Sequence, residues 1–190
     1  MRLSKIGYYA DLVVYPILLF ALTVSELRTA DARSLVIWFL ACLLGLVGYT
    51  FIEYIVHRFL LHSMKLASRA HEMHHSHPTA FIGTPTWLSA LVFACGATPL
   101  LWIVGVNITE GAVAGLIIGY IWYLVVHDAV HRRRLGRESI LYKAKMRHIA
   151  HHYSTQEGNF GVSTALWDRV FGTVLVSAGS RQTCTGPELN

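Results

Sequence analysis

At 190 residues, 54% of them hydrophobic and only 14% charged, with a mean hydropathy of +0.45, the chain carries too little polar surface for a water-soluble domain of its size and reads as a membrane protein. The net charge of +5 needs no nucleic acid to explain it, since no DNA- or RNA-binding motif accompanies it. Basic residues beside apolar spans meet anionic lipid headgroups instead.

In chain order, apolar stretches cover residues 8–25, 35–56, 87–106 and 111–126. Each approaches the roughly 17–25 residues that a spanning helix needs, the first and last at the short end. The first is interrupted by Asp11 and Pro16, which leaves a buried half-span as its alternative reading. Pro85 separates the third stretch from the polar segment before it. Four spans with the N-terminus inside put 14 lysines and arginines on the inner side and only Arg28 and Arg33 outside, a distribution that orients both termini toward the cytoplasm. Gly111, Gly115 and Gly119 recur every four residues on one face of the fourth stretch, where small residues let a second helix come close. Cys42, Cys95 and Cys184 have no metal-clamp or disulfide spacing, and the sequon Asn107-Ile108-Thr109 falls in a connection too short and too near the membrane to be modified. Residues 1–176 read as one domain and 177–190 as a poorly ordered tail.

The eleven histidines are confined to 57–77, 127–131 and 148–152. They form His57/His62, His71/His74/His75, His127/His131 and His148/His151/His152, two of these being the same HxxHH string, with His77 standing before Pro78 outside the repeated spacing. Residues three or four apart share one side of a helix, so each HxxHH set can converge, as can His127 with His131. Five apart, His57 and His62 are rotated by about 140° on a regular helix, so they serve different ions or sit across a break in it. Imidazole is the commonest protein metal ligand near neutral pH, and a set this rich in nitrogen suits iron, zinc, copper or nickel rather than magnesium or calcium. A closed structural zinc site takes four ligands. Ten candidates, His57, His62, His71, His74, His75, His127, His131, His148, His151 and His152, therefore point to two ions with about five nitrogens each. Glu53, Asp128 and Asp168 are candidates to accept the outer N–H of these rings, their other reading being capping or pairing with nearby arginines.

From Glu53 to Thr173 these strings follow a recognisable order. Glu53-Tyr54-Ile55-Val56-His57 leads to His62; His71-Glu72-Met73-His74-His75 precedes Pro78; His127-Asp128-Ala129-Val130-His131 follows. His148-Ile149-Ala150-His151-His152-Tyr153 then runs through Asn159-Phe160-Gly161-Val162 to Trp167-Asp168 and Phe171-Gly172-Thr173. The ordered set resembles the membrane-bound fatty acid hydroxylase superfamily, which also holds sterol desaturases and is related to carotenoid hydroxylases; the Asn159–Val162 stretch is most similar to the fatty acid 2-hydroxylase branch. That resemblance implies an all-α membrane fold, about four transmembrane helices with a cytosolic helical cap holding a histidine-rich di-metal site. It implies di-iron, with zinc able to replace iron in a purified preparation, and the ten clustered histidines as its ligands. The expected activity is O2-dependent hydroxylation of a long-chain fatty acyl lipid, with sterol or carotenoid oxidation as the nearest rival. Some relatives carry a fused cytochrome b5-like domain and this chain has none, so a separate donor is expected: cytochrome b5-like, ferredoxin or a similar reductase system. A non-catalytic metal-binding protein or transporter, the remaining reading, would want ionisable ligands spread through the spans.

Overall fold

The structure, a computed structural model, describes residues 1–175, without the side chains of residues 65–67. The expected tail from 177 onward lies outside the described residues. Within the described residues eight α-helices follow one another: α1 (Lys5–Tyr9), α2 (Asp11–Thr29), α3 (Ala32–Ile55), α4 (Lys65–Ser76), α5 (Thr86–Val104), α6 (Val106–Arg132), α7 (Tyr142–Tyr153) and α8 (Leu166–Val170). Among the described residues there is no strand, only an isolated bridge between Arg2 and Ile82.

Four of the described segments are long and apolar enough to cross a membrane: Lys5–Thr29, Ala32–Leu61, Thr86–Val104 and Val106–Arg132. The first is α1 and α2 in series across Ala10, so Asp11 and Pro16 do not end it. Pro16 sits in the second turn of α2, where little of the ladder precedes it to be broken. The fourth extends beyond residues 111–126 at both ends. Its polar ends, Asn107 and Glu110 on one side and the histidines on the other, hid that length from a hydropathy reading. Asp31 starts α3 by accepting the Ser34 N–H at 2.8 Å, and Gly105, at φ 81, turns α5 into α6 within one residue.

The seam between α3 and α6 organises the bundle. Gly45 of α3 and Gly111 and Gly115 of α6 face the partner helix so closely that a Cβ on any of them would collide with a backbone carbonyl: that of Ala112, Trp38 and Cys42 respectively. Gly119, next in the stripe, makes room for the Tyr49 ring. Close backbone approach of this kind lets dispersion contacts, rather than side-chain volume, hold helices together in lipid. The outer faces are apolar and open, as at Trp102 (85% exposed) and Leu44 (74%), which suits a hydrocarbon surround. At the end where α3 and α6 leave the apolar zone, α4, α7, α8 and the loop 154–165 form a cap.

Candidate metal centre

The histidines reach the cap from four elements. The end of the second span is a π-helical turn, Val56–Leu61, running on directly from α3. Its i→i+5 hydrogen bonding carries residue 57 and residue 62 toward one side, which a regular helix cannot do. Their ring centroids stand 5.3 Å apart. Of the two options open for this pair, a break in the helix and separate ions, the structure takes the break. α4 supplies His71, His74 and His75, the last two turns of α6 supply His127 and His131, and α7 supplies His148, His151 and His152.

Ring nitrogens converge in two groups: His57, His62, His71, His75 and His151, and His74, His131, His148 and His152, each group's nitrogens lying within 4.8 Å of one another. His127 adjoins the second, its Nε2 3.1 Å from that of His74. In the first group His71 is central, with Nε2···Nε2 separations of 3.0 Å to His57, 3.1 Å to His62 and 3.0 Å to His75; His151 lies 3.3 Å from His62. In the second, His148 stands 2.7 Å from His131 and 3.1 Å from His152. Each HxxHH string is therefore divided. The i,i+4 pairs, His71/His75 and His148/His152, stay together, while His74 and His151 cross into the opposite group. The convergence of a whole string on one ion, which helical spacing allows, does not occur. The His75 and His152 rings stack at 4.1 Å where the groups adjoin.

These separations fit metal ions. With metal–nitrogen bonds of about 2.0–2.1 Å, nitrogens at right angles around one ion stand about 2.8–3.0 Å apart. Electrostatics points the same way. Burial, reinforced by neighbouring imidazoles, pulls the pKa of His71 and His152 down to about 2, of His151 to about 3, and of His74 and His75 to about 4. His148 is held well below the usual imidazole range for the same reasons, and His62 is lowered by burial. The rings are thus neutral at physiological pH with lone pairs free to coordinate. Protonating several of them at once would place like charges about 3 Å apart.

The outer nitrogens of two rings are braced by one loop. His57 Nδ1 meets the Phe160 carbonyl at 2.5 Å and His151 Nδ1 the Gly158 carbonyl at 2.8 Å, which fixes the tautomer that leaves each Nε2 facing its group. The carboxylates sit one layer further out than expected. Glu53 accepts the N–H groups of Val162 and Ser163 at 2.7 and 3.0 Å, and Asp168, fully buried, accepts those of Phe160 and Gly161 at 2.9 and 2.8 Å and the Thr173 hydroxyl at 2.7 Å. Neither is bonded to an imidazole: they hold the loop that holds the rings. Asp128 takes the alternative role, pairing with Arg132 at 3.0 Å and accepting the Tyr9 hydroxyl. His77 ends α4 exposed, outside both groups.

Sequence spacing did not single out Asn159. It is buried at φ 54, with its side chain tied to the Leu175 N–H at 3.0 Å and the Arg147 carbonyl at 3.2 Å. Asparagine tolerates this left-handed conformation better than most residues, and it turns the Gly158 and Phe160 carbonyls toward different rings. Behind the second group, the Tyr123 ring stacks on His127 at 5.4 Å. A cavity of about 380 Å³, lined among others by His62, His71, His75, Glu72 and Glu157, opens onto the first group.

Known proteins are similar to this chain over most of its length. Over 181 residues the chain is 34% identical to fatty acid 2-hydroxylase of Mus musculus, covering 89% of this chain and 48% of that protein; it spans about half the length of the mouse and rat proteins of that name. Over 180 residues it is 27% identical to dihydroceramide fatty acyl 2-hydroxylase FAH2 of Arabidopsis thaliana, covering 84% of this chain and 69% of the relative. Among solved structures, full-length Scs7p, of which only the hydroxylase domain is visible, superposes with a TM-score of 0.76 at 26% identity, over 90% of this chain and 67% of that one. The fatty acid hydroxylase family model matches residues 42–173, which hold every histidine and the bracing loop. The chain belongs to the fatty acid hydroxylase family.

Proposed function

We propose that this chain is a membrane-bound di-iron oxygenase that hydroxylates a long-chain fatty acyl lipid, using O2 and electrons from a separate donor protein. The observation that carries the reading is the convergence of ten imidazoles in two groups at the mouth of the α3–α6 pair. His57, His62, His71, His75 and His151 would hold one ion, and His74, His127, His131, His148 and His152 the other. Iron supplies the O2 activation and C–H oxidation that no side chain can perform. Zinc, which imidazole also accepts, would fill the site without the redox chemistry.

The chain's own residues do the rest. The Gly158 and Phe160 carbonyls hold two rings in one tautomer, and Glu53 and Asp168 keep those carbonyls in place. The apolar helices deliver a substrate already dissolved in the bilayer, whose reactive carbon must be held close to the ions for reaction. The names of the relatives, fatty acid 2-hydroxylase and dihydroceramide fatty acyl 2-hydroxylase, favour an acyl chain over a sterol or carotenoid. Residues 1–176 serve as one domain. The charge bias of the connecting segments favours both termini and the histidine cap on the cytoplasmic side, where a cytochrome b5-like or ferredoxin-type donor would meet it.

The test is expression in a host lacking such an enzyme, with hydroxylated lipids measured by mass spectrometry for the native chain and for His148→Ala. Hydroxylated acyl chains that vanish in the variant are expected. An unchanged lipid profile from folded, metal-loaded protein with a competent reductant refutes the hydroxylase reading, and oxidised sterols or carotenoids would move it to the rival substrate.

A further inference from the structure

Asp11 lies in the first membrane segment and is 3% exposed, a costly place for an ionisable side chain and one that calls for a reason. Its Oδ2 accepts the Tyr120 hydroxyl at 2.5 Å and the Ser89 hydroxyl at 3.1 Å, and the Tyr15 hydroxyl in turn donates to Ser89 at 2.8 Å. Oδ1 has no partner among the described residues. The Tyr120 ring is nearly parallel to that of Tyr123 (centroids 6.4 Å apart, planes at 14°), and Tyr123 is nearly parallel to His127 (5.4 Å, 16°). Residues 120, 123 and 127 share one face of α6, so a column of three aromatic rings leads from the histidine groups to a phenol with a base already on its hydroxyl.

We propose that Tyr120 is a redox-active tyrosine: when the metal centre has been oxidised by O2 and no substrate is in place, Tyr120 returns one electron to it through Tyr123 and His127. This rests on the di-iron reading above. The step balances. The Tyr120 O–H bond breaks, the electron goes to the oxidised metal centre, which is reduced by one, and the proton goes to Asp11 Oδ2, leaving a neutral phenoxyl radical beside a neutral carboxylic acid. An electron from the external donor and the same proton from Asp11 then restore the phenol and the carboxylate. A phenol oxidised without losing its proton would become a buried cation, which an apolar interior penalises. Here electron loss instead discharges a buried carboxylate. Of the two tyrosines in the column, Tyr120 is the one bonded to that base, so the radical settles there and an oxidant without a substrate is spent at a chosen side chain.

The experiment reads a radical, not turnover. Iron(II)-loaded protein without lipid substrate is mixed with O2, frozen and examined by electron paramagnetic resonance, with ring-deuterated tyrosine incorporated in a parallel sample. The native chain is expected to give an organic radical signal that narrows on deuteration and is lost in Tyr120→Phe. In Asp11→Asn, whose amide oxygen still accepts the Tyr120 hydroxyl but is too weak a base to keep its proton, the signal is lost while iron content and melting temperature stay native. A purely structural role for the pair would leave the signal in place. A signal that persists in either variant, or a native centre that is oxidised by O2 without any tyrosine radical, overturns the inference and leaves the hydroxylase reading standing. A chain that binds no iron overturns both.

Discussion

The bracing role of Asp168 can be isolated by Asp168→Asn, which changes one atom. The native carboxylate is fully buried and receives three hydrogen bonds, at 2.9 Å from the Phe160 N–H, 2.8 Å from the Gly161 N–H and 2.7 Å from the Thr173 hydroxyl. An asparagine that keeps its oxygen toward Phe160 and Thr173 turns its NH2 toward the Gly161 N–H, donor against donor. One hydrogen bond to a charged group, worth about 1.5–3 kcal/mol, is lost and two others weaken, so a loss of about 2–4 kcal/mol in stability is expected. The loop that relaxes carries the carbonyls on His57 and His151, both in the first histidine group. Loss of such outer partners lowers metal affinity by about 10–100-fold. The expected result under graded chelation is release of one ion per chain well before the other, where the native chain releases the two closer together, with a lower melting temperature in detergent. Native affinities at both groups, or equal weakening of the two, would refute the claim that this carboxylate acts through the Gly158–Phe160 carbonyls.

Two further outcomes follow from the geometry. Gly115→Ala puts a methyl group into the Cys42 carbonyl, a collision between two helix backbones with no flexible side chain to yield, so the variant should lose folded protein in detergent extracts, whereas Gly136→Ala, where a Cβ meets nothing, should not. For pH, His71, His151 and His152 have folded pKa values below the unfolded value of about 6.5, so below that pH the unfolded chain binds more protons than the folded one. Stability of the metal-free protein should therefore fall from pH 6.5 toward 4 and recover on return to neutrality; melting temperatures that are flat or rise on acidification would contradict neutral, buried imidazoles.

Much of this molecule is legible in its sequence because the signals are one-dimensional. Twenty apolar residues in a row must span, and a glycine every fourth residue must present a small-residue face. The division of each HxxHH string is not legible. The i, i+3 and i+4 positions share a side of the helix, and which of two adjacent centres each ring enters depends on how α4 faces α7. The π-helical turn is only half legible: the five-residue spacing of His57 and His62 leaves a break in the helix or separate ions open, and only tertiary placement of His62 in the same group as His57 demands the wider coil. The partner of Glu53 is not legible either: its place one helical turn from His57 suggests contact with that ring, whereas its side chain reaches across to Val162, 109 residues away.

The glycine seam also limits how a lipid can arrive. Between α3 and α6 there is less room than a single methyl group needs at Gly45, Gly111 and Gly115, so no acyl tail can thread between these helices toward the imidazoles above them. That pair is a wall. For the acyl substrate proposed above, the flank formed by α5, which buries only Ser89 against the rest of the bundle, is the side on which a hydrocarbon chain would part the helices without separating two backbones.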